Sequence, residues 1–407
     1  MLYSLGIYLY HIILHIASVF HPKAKAWIKG RKNFWSQLPQ IENQNVVWFH
    51  CASLGEYDQG KPVMEKWKET YPNDFLLITF FSPSGYEHIV NKSIGDYTCY
   101  LPLDTKKNAQ KFIQHFQPKN TFFVKYEFWI NFLKATKQGG SKIYAISASF
   151  RKKQHFFKWY GGIFRKALGL FDHIFVQNQK SLDLLSSINI RNASISGDTR
   201  YDRVMQRAAV RNENVIIAPW AKDEDIFIIG SSWPDDEEII IPYINDFKIK
   251  SKVIIAPHEV HSKNIERITQ SLKVSYQLYT QIEKGEPLNP LTMVLVLDCI
   301  GVLADVYQYG KIAYVGGGFG TGLHNILEPA SFGLPVIFGP KHQKFPEAHE
   351  FIERKIGKSC HENRTFFNAY REFIKEENIN ERVSTFMNEK KGATEIIISK
   401  VIPSKKG

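Results

Sequence analysis

From residue 46 onward the chain alternates short apolar runs with longer amphipathic stretches. The runs at 46–49, 76–81, 121–124, 142–146 and 174–177 predict strands, and stretches such as 63–71 and 108–116 predict helices between them. A strand–helix rhythm of this kind predicts a parallel sheet covered by helices. The rhythm pauses over 207–220 and restarts with strand-like runs at 226–229, 252–256, 292–297, 312–315 and 335–338. The pattern therefore predicts an α/β chain with two doubly wound domains: a first over 36–206, a linker over 207–220, and a second over 221–407 that ends in a C-terminal helix. The Lys/Glu-rich end, from residue 375, reads as a solvated helix and a frayed tail. Two such domains face a central cleft at the carboxyl ends of their strands, where open α/β sheets bind ligands, so functional residues are expected just after strands.

Ahead of this pattern, residues 2–20 contain no Asp, Glu, Lys or Arg and are rich in Leu, Ile, Tyr and Val, close to the ~20 residues that cross a bilayer. Lys23, Lys25, Lys29, Arg31 and Lys32 follow with no acid between them, beside Trp27, Phe34 and Trp35, which is the pattern of a cytoplasmic flank at headgroup level. The order of basic and apolar residues is the reverse of a cleaved signal peptide. Residues 1–35 are thus expected to form a membrane anchor with its basic flank. His11 and His15 lower its apolarity, so a full span, a helix lying in one leaflet and a buried first helix all remain open.

A length of 407 residues suits two domains, and 44% apolar with 23% charged residues suits a folded, mostly globular chain. The net charge of +12 calls for anionic partners: nucleic acid, an anionic membrane or a phosphorylated substrate. Cys51, Cys99, Cys299 and Cys360 are far apart with no C-x-x-C, which argues against a disulfide framework or zinc knuckle and for a reducing compartment.

Several stretches can carry chemistry. In Val315-Gly316-Gly317-Gly318-Phe319-Gly320-Thr321-Gly322-Leu323-His324-Asn325 a strand runs into a glycine-rich turn and then a segment able to open a helix. That is either a phosphate cradle or simply a tight strand–helix turn. Glu328 adds a carboxylate able to accept bonds from two sugar hydroxyls. Gly357-Lys358-Ser359 imitates a Walker motif, but Ile352 stands where its first glycine belongs, so an ordinary loop is expected. After the run 46–49, His50-Cys51-Ala52-Ser53-Leu54-Gly55-Glu56 places a carboxylate at a strand exit. Glu56 is there either a general base or the far half of a Ser53–Glu56 capping box. Pro62 suits a first helical turn, which would leave Glu56 in the loop. Glu127 follows the run 121–124 among apolar neighbours, as a perturbed carboxylate or a helix-start acid. Gly197-Asp198-Thr199-Arg200-Tyr201-Asp202 reads as a turn with an internal ion pair, or as a way of bringing Arg200 to an anion. Arg151, Lys152, Lys153, Lys158, Arg165 and Lys166 interleave with aromatic residues such as Trp159. This pattern suits single-stranded nucleic acid, phosphorylated lipid at a membrane, or a charged amphipathic helix; the apolar amino terminus favours the membrane.

In this order the stretches resemble the Kdo (3-deoxy-D-manno-octulosonic acid) transferases of lipopolysaccharide biosynthesis, glycosyltransferases of the GT-B kind. His50-Cys51-Ala52-Ser53-Leu54-Gly55-Glu56 resembles the family's His-Ala-Ala-Ser-Val-Gly-Glu. Phe81-Ser82-Pro83-Ser84-Gly85 is similar to its Thr-Pro-Thr-Gly loop, Tyr100-Leu101-Pro102-Leu103-Asp104 to Tyr-Leu-Pro-Tyr-Asp, and Glu127-Phe128-Trp129 to Glu-Leu-Trp. In the second half the stretch 230–238 resembles Ser-Thr-His-x-x-Glu-Glu, 298–303 resembles Asp-Thr-Met-Gly-Glu-Leu, and His324-Asn325-Ile326-Leu327-Glu328-Pro329 resembles His-Asn-Pro-Leu-Glu-Pro. The departures are Arg200 for a Lys, His258 for the Arg of a Pro-Arg pair, and Val302 for a Glu.

The resemblance implies two Rossmann-like domains and inverting transfer of Kdo from CMP-Kdo to a lipid A precursor (lipid IVA), at an anionic membrane surface. It implies Glu56 as general base, with Glu127 and Arg200 in transition-state support. It also implies CMP-sugar contacts at Pro257, His258, Gly301, Val302, Leu303, Asn325, Ile326, Leu327 and Glu328. Arg151, Lys152, Lys153, Lys158, Trp159, Arg165 and Lys166 would then face acceptor or membrane. No cofactor, no metal and no nucleic acid are expected, and the location implied is the bacterial inner membrane with the catalytic domains facing the cytoplasm. The alternatives are a GT-B transferase with a UDP-sugar donor and a basic nucleic-acid-binding protein.

Overall fold

The computed structural model describes residues 2–41, 43–125, 128–320 and 322–402. The chain forms two compact units, one of Met1–Arg203 with Lys390–Gly407, the other of Val204–Glu389. Each is built on a seven-stranded sheet whose strand pairs are all parallel.

In the first unit the strands are β1 (Val46–Cys51), β2 (Phe75–Phe80), β3 (Tyr97–Tyr100), β4 (Asn120–Val124), β5 (Lys142–Ala148), β6 (His173–Val176) and β7 (Ala193–Ile195). Their order is β3-β2-β1-β4-β5-β6-β7. The order reverses between β1 and β4, which makes the exits of those two strands the natural ligand position. Every residue of β1 is buried because helices cover both faces. Val46 and Trp48 enter one core with Phe112, Phe123 and Phe132. Val47, Phe49 and Cys51 enter the opposite core with Trp67 and Phe122.

In the second unit the strands are β8 (Ile226–Ser232), β9 (Lys252–Pro257), β10 (Tyr276–Leu278), β11 (Val294–Val296), β12 (Ile312–Val315), β13 (Val336–Phe338) and β14 (Gly357–Ser359). The order is β10-β11-β9-β8-β12-β13-β14, so the reversal lies between β8 and β12. Gly357-Lys358-Ser359, expected as a loop, is the edge strand β14, paired with β13.

The expected boundaries change at the end of the chain. The helix Ile379–Lys390 buries Ile379, Val383, Phe386 and Met387, so the stretch after 375 is not merely a solvated helix. The helix Ala393–Val401 belongs to the first unit and not to a domain running over 221–407. Its Ile397, Ile398 and Val401 complete the core behind β1. The Asp202 carboxylate accepts from Gly392 N at 2.6 Å, Thr394 N at 2.6 Å and Thr394 Oγ1 at 2.7 Å, satisfying donors at this helix start that would otherwise be buried and unbonded. Nor is 207–220 all linker: Ile217 and Trp220 lie in the second unit's core.

At the amino terminus, α1 (Leu2–Phe20) packs on α2 (Pro22–Gly30). Tyr3 donates to Asp104 Oδ2 at 2.5 Å, Ile7 is buried with Trp27 and Leu103, and Tyr10 and His11 pack on Trp27. The opposite face is apolar and exposed, at Leu5, Leu9, Ile12, Ile13, Ile16, Val19 and Phe20. Tyr3–Phe20 is long and apolar enough to cross a membrane, yet contacts from Tyr3 to His11 lay it along the unit. Arg31 fastens α2 to the sheet: its guanidinium donates to the carbonyls of Leu101, Trp27 and Phe81, and lies 3.8 Å from the Trp27 ring centroid. Burial without an acid nearby pushes its pKa down to about 9.

Asp202→Ala removes an acceptor from three donors. It is expected to destabilise the first unit by about 2 kcal/mol, read as a lower urea midpoint with the unfolding of the second unit unchanged.

Candidate active site

The sheet positions the first unit's candidates. β1 ends at Cys51, and α3 (Leu54–Thr70) begins three residues later. The helix therefore includes Glu56, in its first turn, and holds Pro62 in its interior. That corrects the expectation that Pro62 marks the helix start and leaves Glu56 in a loop. Glu56 is buried, and its Oε2 accepts from Ala52 N at 2.5 Å. Ser53, the residue before the helix, makes no side-chain cap bond, so the expected Ser53–Glu56 capping box is not formed; the bond from Ala52 N holds the carboxyl group at the exit of β1. Glu127 lies outside the described residues.

His50 organises the ground beneath this exit. The Trp129 indole donates to His50 Nε2 at 3.0 Å, so the neutral ring carries its proton on Nδ1, which bonds Thr79 Oγ1 at 2.9 Å. Burial, then the Arg31 charge, pushes the His50 pKa down to about 3. His50 is therefore a neutral strut tying the exit of β1 to the segment after β4.

Arg200 makes the internal pair considered from the sequence: Nε and Nη2 donate to Asp198 Oδ2 at 2.9 and 2.7 Å. The turn is docked on α3 one turn beyond Glu56. Thr199 Oγ1 donates to the Gln59 carbonyl at 2.5 Å, and Gln59 Nε2 donates to Asp198 Oδ1 at 3.3 Å. The structure thus places Arg200 and Glu56 around the same helix start. Lys125 after β4 and Ser147 in β5 take left-handed φ values of +64° and +50°.

The segment with Arg151, Lys152, Lys153, Lys158 and Trp159 is a loop rather than an amphipathic helix, followed by the short helix Gly162–Leu168 that holds Arg165 and Lys166. Arg165 Nη1 braces the loop by donating to the carbonyls of Phe156 and Lys158 at 3.0 and 2.8 Å. Trp159 is 92% exposed, and Arg151, Lys152, Lys153 and Lys166 are also exposed. The loop follows β5, on the same carboxyl edge of the sheet that Tyr3 meets at Asp104.

In the second unit the candidates gather at the exits of β8, β9, β11 and β12. His258 N donates to Ser232 O at 2.9 Å, and its ring stacks on Trp233 and His324 at centroid distances of 4.6 and 4.4 Å. Trp233 Nε1 donates to His324 Nε2 at 3.0 Å, which leaves the His324 proton on Nδ1. Burial, and then His258, pushes the His324 pKa down to about 4. Gly301, with φ +101°, makes the turn before Val302 and Leu303, and Leu303 lies against Gly230 of β8.

The glycine turn bonds largely to itself. Gly316 N donates to Gly230 O, Gly317 N to Asp236 Oδ2, Gly320 N and Gly322 N to Gly317 O, and His324 N to Gly316 O. Those amides serve the fold instead of an open phosphate cradle. Glycine is required at 316, where a Cβ would come within 2.2 Å of Ser231 O and 2.7 Å of the Asp236 carboxylate. The helix after the turn is short and starts at Leu327, not Asn325. Asn325 Oδ1 accepts from Leu327 N, and its Nδ2 donates to Glu328 Oε1 at 3.1 Å. Ile326 and Leu327 are buried, so any ligand contact there is through backbone, and Pro257 is buried at the end of β9.

Trp233, Asp236 and His324 are site-building residues that the candidate set omitted. Asp236 accepts from Tyr314 Oη at 2.6 Å and from the amides of Trp233 and Gly317, and burial pushes its pKa up despite these bonds. The signal for Trp233 and Asp236 was the stretch 230–238, where an aromatic and four consecutive carboxylates follow a strand, and that for His324 was the glycine-rich stretch it closes.

Because His324 is held neutral, it favours the folded state fully above about pH 6.5 and loses that contribution as pH falls toward about 4. The thermal midpoint of the second unit is expected to fall over that interval, and His324→Gln is expected to flatten the fall. NMR of the ring protons should place the His324 titration near pH 4.

Residues 28–203 match the model of a family described as 3-deoxy-D-manno-octulosonic-acid transferase (kdotransferase). The chain is similar to a bifunctional glycosyltransferase/methyltransferase of Fusobacterium nucleatum, at 24% identity over 94% of this chain, and spans 61% of that relative's length. It is similar to the 3-deoxy-D-manno-octulosonic acid transferase of Chlamydophila psittaci, at 26% identity over 80% of this chain and 77% of the relative. It shares its fold with a solved UDP-GlcNAc 2-epimerase of Neisseria meningitidis, with a TM-score of 0.63 at 14% identity, covering 88% of this chain and 99% of the other. With similarity to Kdo transferases covering most of the chain, and a fold of two Rossmann-like α/β domains, the chain resembles the Kdo transferases of the GT-B kind.

Proposed function

We propose that this chain transfers Kdo from CMP-Kdo to a lipid A precursor, with inversion, at the cytoplasmic face of the inner membrane. The observation that carries the proposal is Glu56, a carboxylate fixed by its own helix turn at the strand-order reversal of the first unit, in a chain similar to Kdo transferases.

In the proposed step a hydroxyl of the lipid passes its proton to Glu56 as its oxygen attacks the anomeric carbon of the donor. The bond from that carbon to the CMP oxygen breaks, and CMP leaves with the electron pair from the opposite face. Arg200 and Glu127 hold the reacting groups and meet developing charge. On the donor side Pro257, His258, the turn 301–303 and the stretch 325–328 take the nucleotide, with His258 standing where the family carries a permanent cation. The sugar arrives already activated, so the proposal assigns neither cofactor nor metal, and it assigns no nucleic-acid partner.

For the membrane, the position of α1 supports a helix lying in one leaflet. At ~1.5 Å per residue its 19 residues reach about 28 Å, but both its first turn and the α2 that follows it are held against the first unit. The exposed loop around Trp159 lies on the same edge of the sheet and supports a second point of contact.

Glu56→Ala is expected to lower product formation from labelled donor by about a thousandfold while CMP titration stays unchanged; near-normal turnover would remove Glu56 from the mechanism. Removing residues 1–20 is expected to shift the protein from membrane to soluble fractions, and unchanged sedimentation would transfer the anchoring role to the loop around Trp159.

A further inference from the structure

A cavity of about 720 Å³ lies under α1 within the first unit, between that helix, α2 and the segment after β3. This is in the size range of small-molecule sites. Its floor is apolar: Trp27, Phe34, Trp35 and Leu103 line it. Its rim is basic, formed by Lys25, Lys29, Lys32 and Lys107, and no Asp or Glu is among the lining residues. None of those four lysines makes a salt bridge among the described residues. Arg31, which also lines the cavity, is committed to three carbonyls.

The orientation of α1 makes this cavity more than a gap. Its polar side, His11, His15 and Ser18, faces the cavity, while Leu9, Ile12, Ile16 and Val19 are exposed on its outer side. The cavity therefore adjoins the surface that would enter a leaflet. It offers an apolar floor for hydrocarbon and a ring of ammonium groups for one phosphate, a combination that an ordinary core gap lacks.

We propose that this cavity binds one acyl chain of an anionic phospholipid drawn from the bilayer, with the lipid phosphate held by Lys25, Lys29, Lys32 and Lys107. The bound lipid completes the packing beneath α1 and makes membrane attachment selective for anionic phospholipid. This inference rests on α1 lying in the leaflet and not on sugar transfer, so it is tested without donor.

The test uses the full chain and a lysophosphatidic acid brominated on its acyl chain, below its micelle concentration, with quenching of tryptophan fluorescence as the readout. Trp27 and Trp35 line the cavity, so quenching should saturate at one lipid per chain and weaken in Trp35→Phe. Lysophosphatidylcholine with the same brominated chain should bind at least about tenfold more weakly, and glycerol phosphate should not compete. Lys29→Gln with Lys32→Gln should remove the preference between the two headgroups, and Ser18→Phe, which fills the cavity from an exposed helix, should weaken both lipids with an unchanged circular dichroism spectrum. Quenching that never saturates, equal affinity for both headgroups, or indifference to Ser18→Phe would overturn the proposal in favour of general adsorption on the outer face of α1. Native mass spectrometry of protein extracted from membranes should show one bilayer phospholipid; an acylated sugar phosphate in its place would overturn the choice of occupant.

Discussion

The direction of the strands is the constraint on which the rest depends. Seven parallel strands in each unit deliver their chain exits to one edge of the sheet, and reversal of strand order at β1/β4 and β8/β12 opens a place there that no crossover helix fills. Glu56 stands at the first of these, and Trp233 and the glycine turn at the second. A residue in the same motif but on an antiparallel partner would be carried to the far edge. The sheets can take this form because their strands are apolar on both faces, so that burial of the β1 and β8 residues and placement of the site are one event.

The two units fasten their reversals in the same way. Trp129 donates to His50 in the first, and Trp233 donates to His324 in the second, each at 3.0 Å. An indole can only donate, so each imidazole is fixed in one tautomer and kept neutral by burial. Such pairs orient a strand exit without placing a charge beside it. His258 lays one ring face on the Trp233–His324 layer.

Much of this was legible in the sequence because buried parallel strands are uniformly apolar, and the runs at 46–49, 142–146, 226–229 and 312–315 lie within observed strands. Edge strands were missed where burial, and with it the apolar signal, fades: Tyr97–Tyr100 and Ala193–Ile195 are only partly buried, and Gly357–Ser359 is half polar. Pro62 misled because a proline inside a helix is costly, and here it is absorbed in a buried turn of α3. The return of the last helix to the first unit depends on Asp202 meeting Thr394, a contact across 192 positions that no local pattern reveals. For the site, the motif His324 to Pro329 was legible as a block, but the sequence could not show that Ile326 and Leu327 point into the core. Nor could it show that the amides of Gly316, Gly317, Gly320 and Gly322 are bonded to β8, to Asp236 and within the turn.

The central proposal is that the second unit takes a cytidylate and the first takes the alcohol that attacks its sugar. Isothermal titration of the full chain with CMP and, separately, with UMP tests it most directly, since the two differ only in the base edge presented to the protein. The account predicts saturable binding of CMP at one site per chain and at least about tenfold weaker binding of UMP, a loss on the scale of one or two hydrogen bonds. Equal affinity for the two, or preference for UMP, would contradict it.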